Sequence, residues 1–142
     1  GNGGSAAVAS HMQNDLCKAV GVPALVFHET PLLTALTNDN GYHTAFSYPV
    51  SLWAQPADLL VAISSSGQSE SILNAVREAV ERECHVITLS GFKLDNPLRR
   101  LGDLNFHVPS SHYGSVEMAH HILCHLFTDA ASDAQPASSL GG

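Results

Sequence analysis

At 142 residues and 15.0 kDa the chain has the length of one domain, enough for one good core and too short for two. Hydrophobic residues at 44% against 13% charged, with a mean hydropathy of +0.06, exclude disorder and fit a compact fold whose surface is partly covered by partners. Six Lys plus Arg against thirteen Asp plus Glu leave −7 at neutral pH, too few clustered cations for direct nucleic-acid binding.

No apolar run approaches the roughly 18 residues of a membrane span, and no signal-peptide pattern is found in the sequence, which begins at Gly1 without a Met. Cys17, Cys84 and Cys124 are odd in number and sit in apolar helical or pre-strand settings, as expected of reduced thiols in a cytoplasmic protein. Nine histidines outnumber all other cations together.

In chain order, Gly1–Ser5 (GNGGS) is a glycine-rich turn that opens a helix over about Ala6–Ala19. A central strand normally precedes such a turn in a doubly wound sheet, so the chain is expected to start inside the natural protein. Pro23–His28 is a short, strand-like apolar run, followed by helical patterns at Pro31–Leu36 and Tyr42–Ala54. Leu59–Ser64 (LLVAIS) is the continuous apolar run of a strand buried on both faces. Ser69–Glu83 carries Ile72, Leu73, Val76, Ala79 and Val80 at helical spacing, with its glutamates mostly opposite.

His85–Leu89 is the next strand, Asn96–Leu101 a short helix and Leu104–Val108 the last strand. Ser115–Asp129 closes the domain as a helix with Val116, Ala119, Leu123, Leu126 and Phe127 as its expected core stripe. Ala130–Gly142 is small and polar and reads as a disordered tail, which leaves 1–129 as the folded domain. Strands alternating with helices at this pitch predict an α/β fold with a parallel sheet.

Two turns are built to hold an anion. Gly1–Ser5 offers backbone N–H groups at a helix start, although an ordinary glycine-rich loop has the same composition. After the strand at 59–64, Ser64-Ser65-Ser66-Gly67-Gln68-Ser69 places four hydroxyls at the carboxyl end of a parallel strand, where open α/β sheets bind ligands. A capped, solvated turn needs only one of those hydroxyls, at Ser69. Neither turn continues into G-K-[ST], which disfavours nucleoside triphosphate chemistry.

Histidines and carboxylates recur on two helices. His11 and Asp15 are four apart, and Glu117, His121 and His125 follow one another at the same spacing. Glu117 and His125 diverge by only about 80° around their helix. If the helices face each other, His11, Asp15, Glu117 and His125 converge on one pocket, fit for acid–base chemistry or for zinc. A His–Asp pair at this spacing is also an ordinary surface pair. His120 and His121 are adjacent and cannot both face that pocket. His28, His43, His85 and His107 show no partner spacing and read as ordinary polar residues. Cys124 points about 100° away from His125, against a Cys–His nucleophile pair. A G-x-S-x-G serine-hydrolase turn is absent.

Together, GNGGSAAVASH, VAISSSGQSESIL, VITLSG and SVEMAHHILCH resemble the sugar isomerase (SIS) domain, and specifically its phosphoheptose isomerase branch, over nearly all of Gly1–Asp129. The resemblance implies a flavodoxin-like, three-layer αβα sandwich, here without the family's first strand and N-terminal helices. It implies conversion of sedoheptulose 7-phosphate to D-glycero-D-manno-heptose 7-phosphate through an enediol, for lipopolysaccharide core or other heptose-containing glycans, by a cytoplasmic homotetramer without a nucleotide cofactor. By position, Ser5, Ser64, Ser66 and Ser69 hold the phosphate, Ser65 lies close to the sugar, and Asn2 borders it beside Gly3 of the binding turn. Asn38 and Asp39 match the family's N-D loop.

His125 matches the catalytic histidine, Asp15 stands where the family has a catalytic glutamate, and Glu117 where it has a glutamine. In members with a metal, the positions of His11, Asp15, Glu117 and His125 bind zinc. Asp15 is about 1.5 Å shorter in reach than Glu, which weakens proton transfer unless the backbone shifts. Glu117 adds negative charge that favours a metal or raises a neighbouring pKa. The Ala19–Pro23 segment is shorter than usual and lacks the family's nearby arginine, with only Lys18 at hand. Two other functions fit the same pattern: a non-catalytic SIS phosphosugar sensor or replication-initiator-associated protein, and a metal-stabilised structural domain.

Overall fold

The computed structural model describes residues 1–135. The elements are α1 (Gly4–Asp15), a π-helical turn (Leu16–Val20), α2 (Thr30–Asn40), a 3-10 turn (Tyr42–Thr44), α3 (Ser47–Trp53), β1 (Leu59–Ser64), α4 (Glu70–Glu81), β2 (His85–Ser90), a 3-10 turn (Leu98–Arg100), β3 (Leu104–His107) and α5 (Tyr113–Asp133). The three strands form one parallel sheet in the order β1-β2-β3, with Leu59 opposite His85 and Ile87 opposite Leu104.

Strand residues alternate between two cores, as the pleat dictates. Leu60, Ala62 and Val86 face Phe46, Val50, Ile72, Leu73, Val76 and Ala79 of the α3–α4 layer. Val61, Ile63, Ile87, Leu89 and Phe106 face Val8, Met12, Leu123, Cys124 and Phe127 of the α1–α5 layer. This is the expected αβα sandwich. Ile63 and Leu89 are essentially closed to solvent, each burial giving about 1.5–3 kcal/mol relative to exposure. Among the described residues no helix is long and apolar enough to cross a membrane.

Several boundaries differ from the sequence expectation. Pro23–His28 forms no strand: Pro23 has no N–H to give a ladder, and Leu25 stands in solvent while only Phe27 packs on the core. The helical pattern at Tyr42–Ala54 divides, because Pro49 is tolerated only in a first turn and the helix restarts at Ser47. Helix α5 continues to Asp133, so Ala130–Asp133 of the expected tail is helical; positions 136–142 lie outside the described residues. Leu126 is not core. It lies on the outer face with Met118 and Ile122, all three more than half exposed, while His120, Cys124 and Thr128 turn inward beside Val116.

His120 is fully buried at the back of β2, where its Nε2–H donates to the Ser90 carbonyl at 3.1 Å. Burial lowers its pKa below the usual histidine range, so the neutral ring is the folded form. The unfolded chain therefore takes up a proton near pH 6.5 that the folded chain refuses. This contribution to stability is complete above pH 6.5 and is lost as pH falls from there towards the folded-state pKa. Thermal melts from pH 7.5 to 5.5 are expected to show a falling Tm, with a shallower slope in His120→Gln; equal slopes would remove His120 from the account.

Candidate active site

The serine turn grows out of the carboxyl end of β1. The Gly67 amide donates to the Ser64 carbonyl at 3.0 Å, and Gly67 has φ +64°, the left-handed region that glycine enters without strain. Its Cα faces the Asn96 side chain so closely that a Cβ would collide with it. Asn96 is itself buried, donating to Ser90 Oγ at 3.1 Å and to the Gly91 carbonyl at 3.2 Å, while the Leu98 amide reaches the Gly67 carbonyl at 3.1 Å. The segment after β2 thus clamps the turn.

Ser69 occupies the N-cap of α4, yet its hydroxyl caps no amide; it takes a hydrogen bond from Ser64 Oγ at 3.2 Å. Ser66 Oγ accepts from the Gln68 amide at 3.2 Å. Ser65 Oγ is buried with no partner, a cost in free energy unless a ligand supplies one. The simple capped turn is therefore not what forms. Hydroxyls gather beside an α4 start that no side chain caps, the setting that receives an anion.

The glycine turn lies against this one. Asn2 Nδ2 donates to Ser71 Oγ in the first turn of α4 at 3.1 Å, and the Tyr42 hydroxyl donates to Asn2 Oδ1 at 2.5 Å. Asn2 is thus a bridge between the two turns. Tyr42 had no sequence signal, since it is 40 positions from its partner. Ser5 is buried in the first turn of α1, which also has no side-chain cap, and Gly3 has φ +54°. His28, read as ordinary, contacts the Gly1 carbonyl through Nε2 at 3.2 Å and Ser10 Oγ through Nδ1 at 3.3 Å. The Glu117 carboxylate lies directly over Gly4, in space that a Cβ would occupy.

Farther along α1, the structure brings His11, Asp15 and His125 together. Asp15 Oδ2 is 3.1 Å from His11 Nε2 and 3.6 Å from His125 Nδ1, and Asn14 Nδ2 donates to its Oδ1 at 3.1 Å. Asp15 thus lies between the two imidazoles. His11 Nε2 is buried, and despite its nearness to Asp15 it has no hydrogen bond of acceptable direction. His121 joins the group: its ring centroid is 4.6 Å from that of His11 and 5.2 Å from that of His125, nearly parallel to the latter at 14°. Ligand nitrogens of His11, His121 and His125 lie within 4.8 Å of one another, an arrangement able to hold a metal ion.

Glu117 is not in that triad, and Asn38 and Asp39 sit exposed at the end of α2, where Asn38 Nδ2 donates to Asp39 Oδ1 at 2.7 Å. The Cys124 thiol is pushed up to about 11 by burial, which leaves it inert as a nucleophile.

The description of the SIS domain matches residues 1–91, well over half of the chain, and the chain belongs to that family. Its relatives include the phosphoheptose isomerase of Nitratiruptor sp., 38% identical over 92% of this chain and 74% of the relative, and that of Rhodospirillum rubrum, 36% identical over 92% and 74%. The solved phosphoheptose isomerase of Neisseria gonorrhoeae superposes with a TM-score of 0.88 at 34% identity, over 94% of this chain and 74% of the other. A NanR protein of Vibrio vulnificus, at 20% identity and TM-score 0.71, shares the fold alone.

Replacing Gly67 with alanine places a side chain at a left-handed backbone, worth about 1–2 kcal/mol, and displaces Asn96 as well. Gly67→Ala is expected to lower Tm and to abolish the thermal shift produced by a sugar phosphate. A variant that keeps both would show that the turn is not the anion site.

Proposed function

We propose that the chain is an aldose–ketose isomerase of phosphorylated sugars, acting on sedoheptulose 7-phosphate to form D-glycero-D-manno-heptose 7-phosphate. Its relatives named phosphoheptose isomerase, at 38% and 36% identity over most of the chain, support that substrate. One observation about the site carries it furthest. Helix α1 bears an anion-binding turn at its start and an imidazole–carboxylate group seven residues later, about 10 Å along the axis. That separation suits a ligand with a phosphate at one end and reacting carbons at the other.

The phosphate is bound by Ser64, Ser66 and Ser69 with the first amides of α4, and Ser5 stands at the neighbouring turn. Ser65 Oγ, buried and unpartnered, is a donor held ready for the ligand. Asn2, fixed by Tyr42 and Ser71, shapes the wall between the turns. Binding energy from this end orients the sugar and is spent at the far end. There the reaction moves a proton between adjacent carbons through an enediol. His125 and Asp15 share that work: the carboxylate, 3.6 Å from Nδ1, steadies the ring and leaves Nε2 to meet the substrate.

Imidazole and carboxylate are the usual donors to zinc, and the buried His11 Nε2, beside the Asp15 carboxylate but without a well-directed hydrogen bond, is what a metal ligand looks like without its ion, so these residues fit zinc. His11, Asp15 and His125 would hold it, and when bound it would polarise a sugar oxygen as a Lewis acid. The apolar stripe of Met118, Ile122 and Leu126 supports assembly into an oligomer, taken as a tetramer. The three unpaired cysteines fit the reducing cytoplasm.

Alanine at His125 is expected to cut turnover of sedoheptulose 7-phosphate by about 10²–10⁴-fold while the ligand-induced rise in Tm persists. Wild-type turnover in that variant would remove the assignment. A thermal shift in the wild-type protein, with no turnover of any phosphoketose, would instead identify a sensor.

A further inference from the structure

We propose that His121 is a metal ligand, so that the divalent cation of this site is bound by three imidazoles, His11, His121 and His125, beside the Asp15 carboxylate. The proposal rests on the metal-holding site described above and changes its donor set. His121 lies one turn before His125 on α5, and the two rings stack at 14°, His125 meeting the His11 ring edge-on and His121 meeting it tilted at 55° across the α1–α5 contact. The ligand nitrogens of all three already lie within 4.8 Å, and the nitrogens on one tetrahedral zinc stand roughly 3.4 Å apart, so side-chain rotation closes the remainder.

Among the described residues His121 makes no hydrogen bond, and its ring contacts are His11 and His125. An imidazole half-hidden at an interface without a partner gains nothing there as a polar group. It gains a bond if a cation arrives. His120 cannot take this role, because it is buried on the opposite side against Ser90.

Glu117 stands apart. Its carboxylate is packed on Gly4, two turns before His125 on α5, and lies outside the triad. The ion therefore belongs to the end of α1 remote from the anion turns. Three neutral nitrogens and one carboxylate favour a borderline cation such as Zn²⁺, Co²⁺ or Ni²⁺ over Mg²⁺ or Ca²⁺.

The test uses the full chain, freed of metal with a chelator and titrated with Zn²⁺ against a chromophoric competitor. Co²⁺ is added in parallel to read coordination from its visible absorption. The wild type is expected to bind one ion. Since loss even of a residue that only supports a ligand costs 10–100-fold, His121→Phe, which keeps the ring packing and removes the donor, should weaken Zn²⁺ binding by at least about 100-fold and alter the Co²⁺ spectrum. His121→Cys should retain binding, and Glu117→Ala, which removes every donor atom there, should bind Zn²⁺ as the wild type does. Melting curves of the metal-free variants establish that each is folded.

Unchanged affinity in His121→Phe, a loss in Glu117→Ala as large, or no stoichiometric binding by the wild type overturns the proposal. None of these results bears on isomerase activity, which is read separately as turnover. An active enzyme indifferent to His121 would sink this inference alone.

Discussion

The contact between α1 and α5 is the constraint on which the site depends. Val8 and Met12 of α1 and Cys124 of α5 close over Ile63 and Leu89 of the sheet, and burying those side chains fixes how far each helix is rotated. Once that rotation is set, His11 and Asp15 have only one direction in which to point, towards His121 and His125. The same packing carries Glu117 over Gly4, where there is room only because position 4 lacks a Cβ. The helices run in the same direction, so a pair of residues near their starts and a group farther along are held at a fixed separation by two rigid rods.

The second anchor is polar. Asn2 ties the glycine turn to Ser71; the segment after β2 holds the serine turn through backbone N–H groups of Gly91 and Leu98, at the Ser65 and Gly67 carbonyls, and is itself braced by the Asn96 side chain. Both amides work because they are satisfied on several sides at once, which makes each arrangement costly to distort. Of the serine hydroxyls inside this frame, Ser64 and Ser69 bond to each other, Ser66 accepts from the Gln68 amide and Ser65 has no partner. A loop whose function was only to start a helix would have used Ser69 for its cap.

Much of this was legible from pattern. The apolar run at 59–64, the amphipathic period of 69–83 and the strand run at 85–89 are local signals, and the structure places α4 at Glu70–Glu81 and β2 at His85–Ser90 within a residue or two of them. The fourfold spacings in His11–Asp15 and His121–His125 were also local, so each half of the site could be found separately. Leu126 was misplaced because the stripe of α5 is wide: Leu123 and Phe127 turn to the sheet, and a residue between them looks equally apolar in sequence. Tyr42 and Asn96 escaped because their partners are distant in sequence or are backbone groups, which leave no spacing to read.

The amino-acid sequence by itself determined most of the elements, the α/β class with its parallel sheet, the hydroxyl-rich turn and, by resemblance, the family with its αβα layering, since these rest on short-range periodicity and on contiguous motifs. Only the tertiary structure decided which histidine of the adjacent pair is buried and which meets His11, that Asp15 reaches two imidazoles, and that Glu117 lies at the other end of the helix. Those outcomes turn on helix rotations of a fraction of a turn, set by side chains packing across α1, α5 and the sheet, and such rotations are a property of the assembled core.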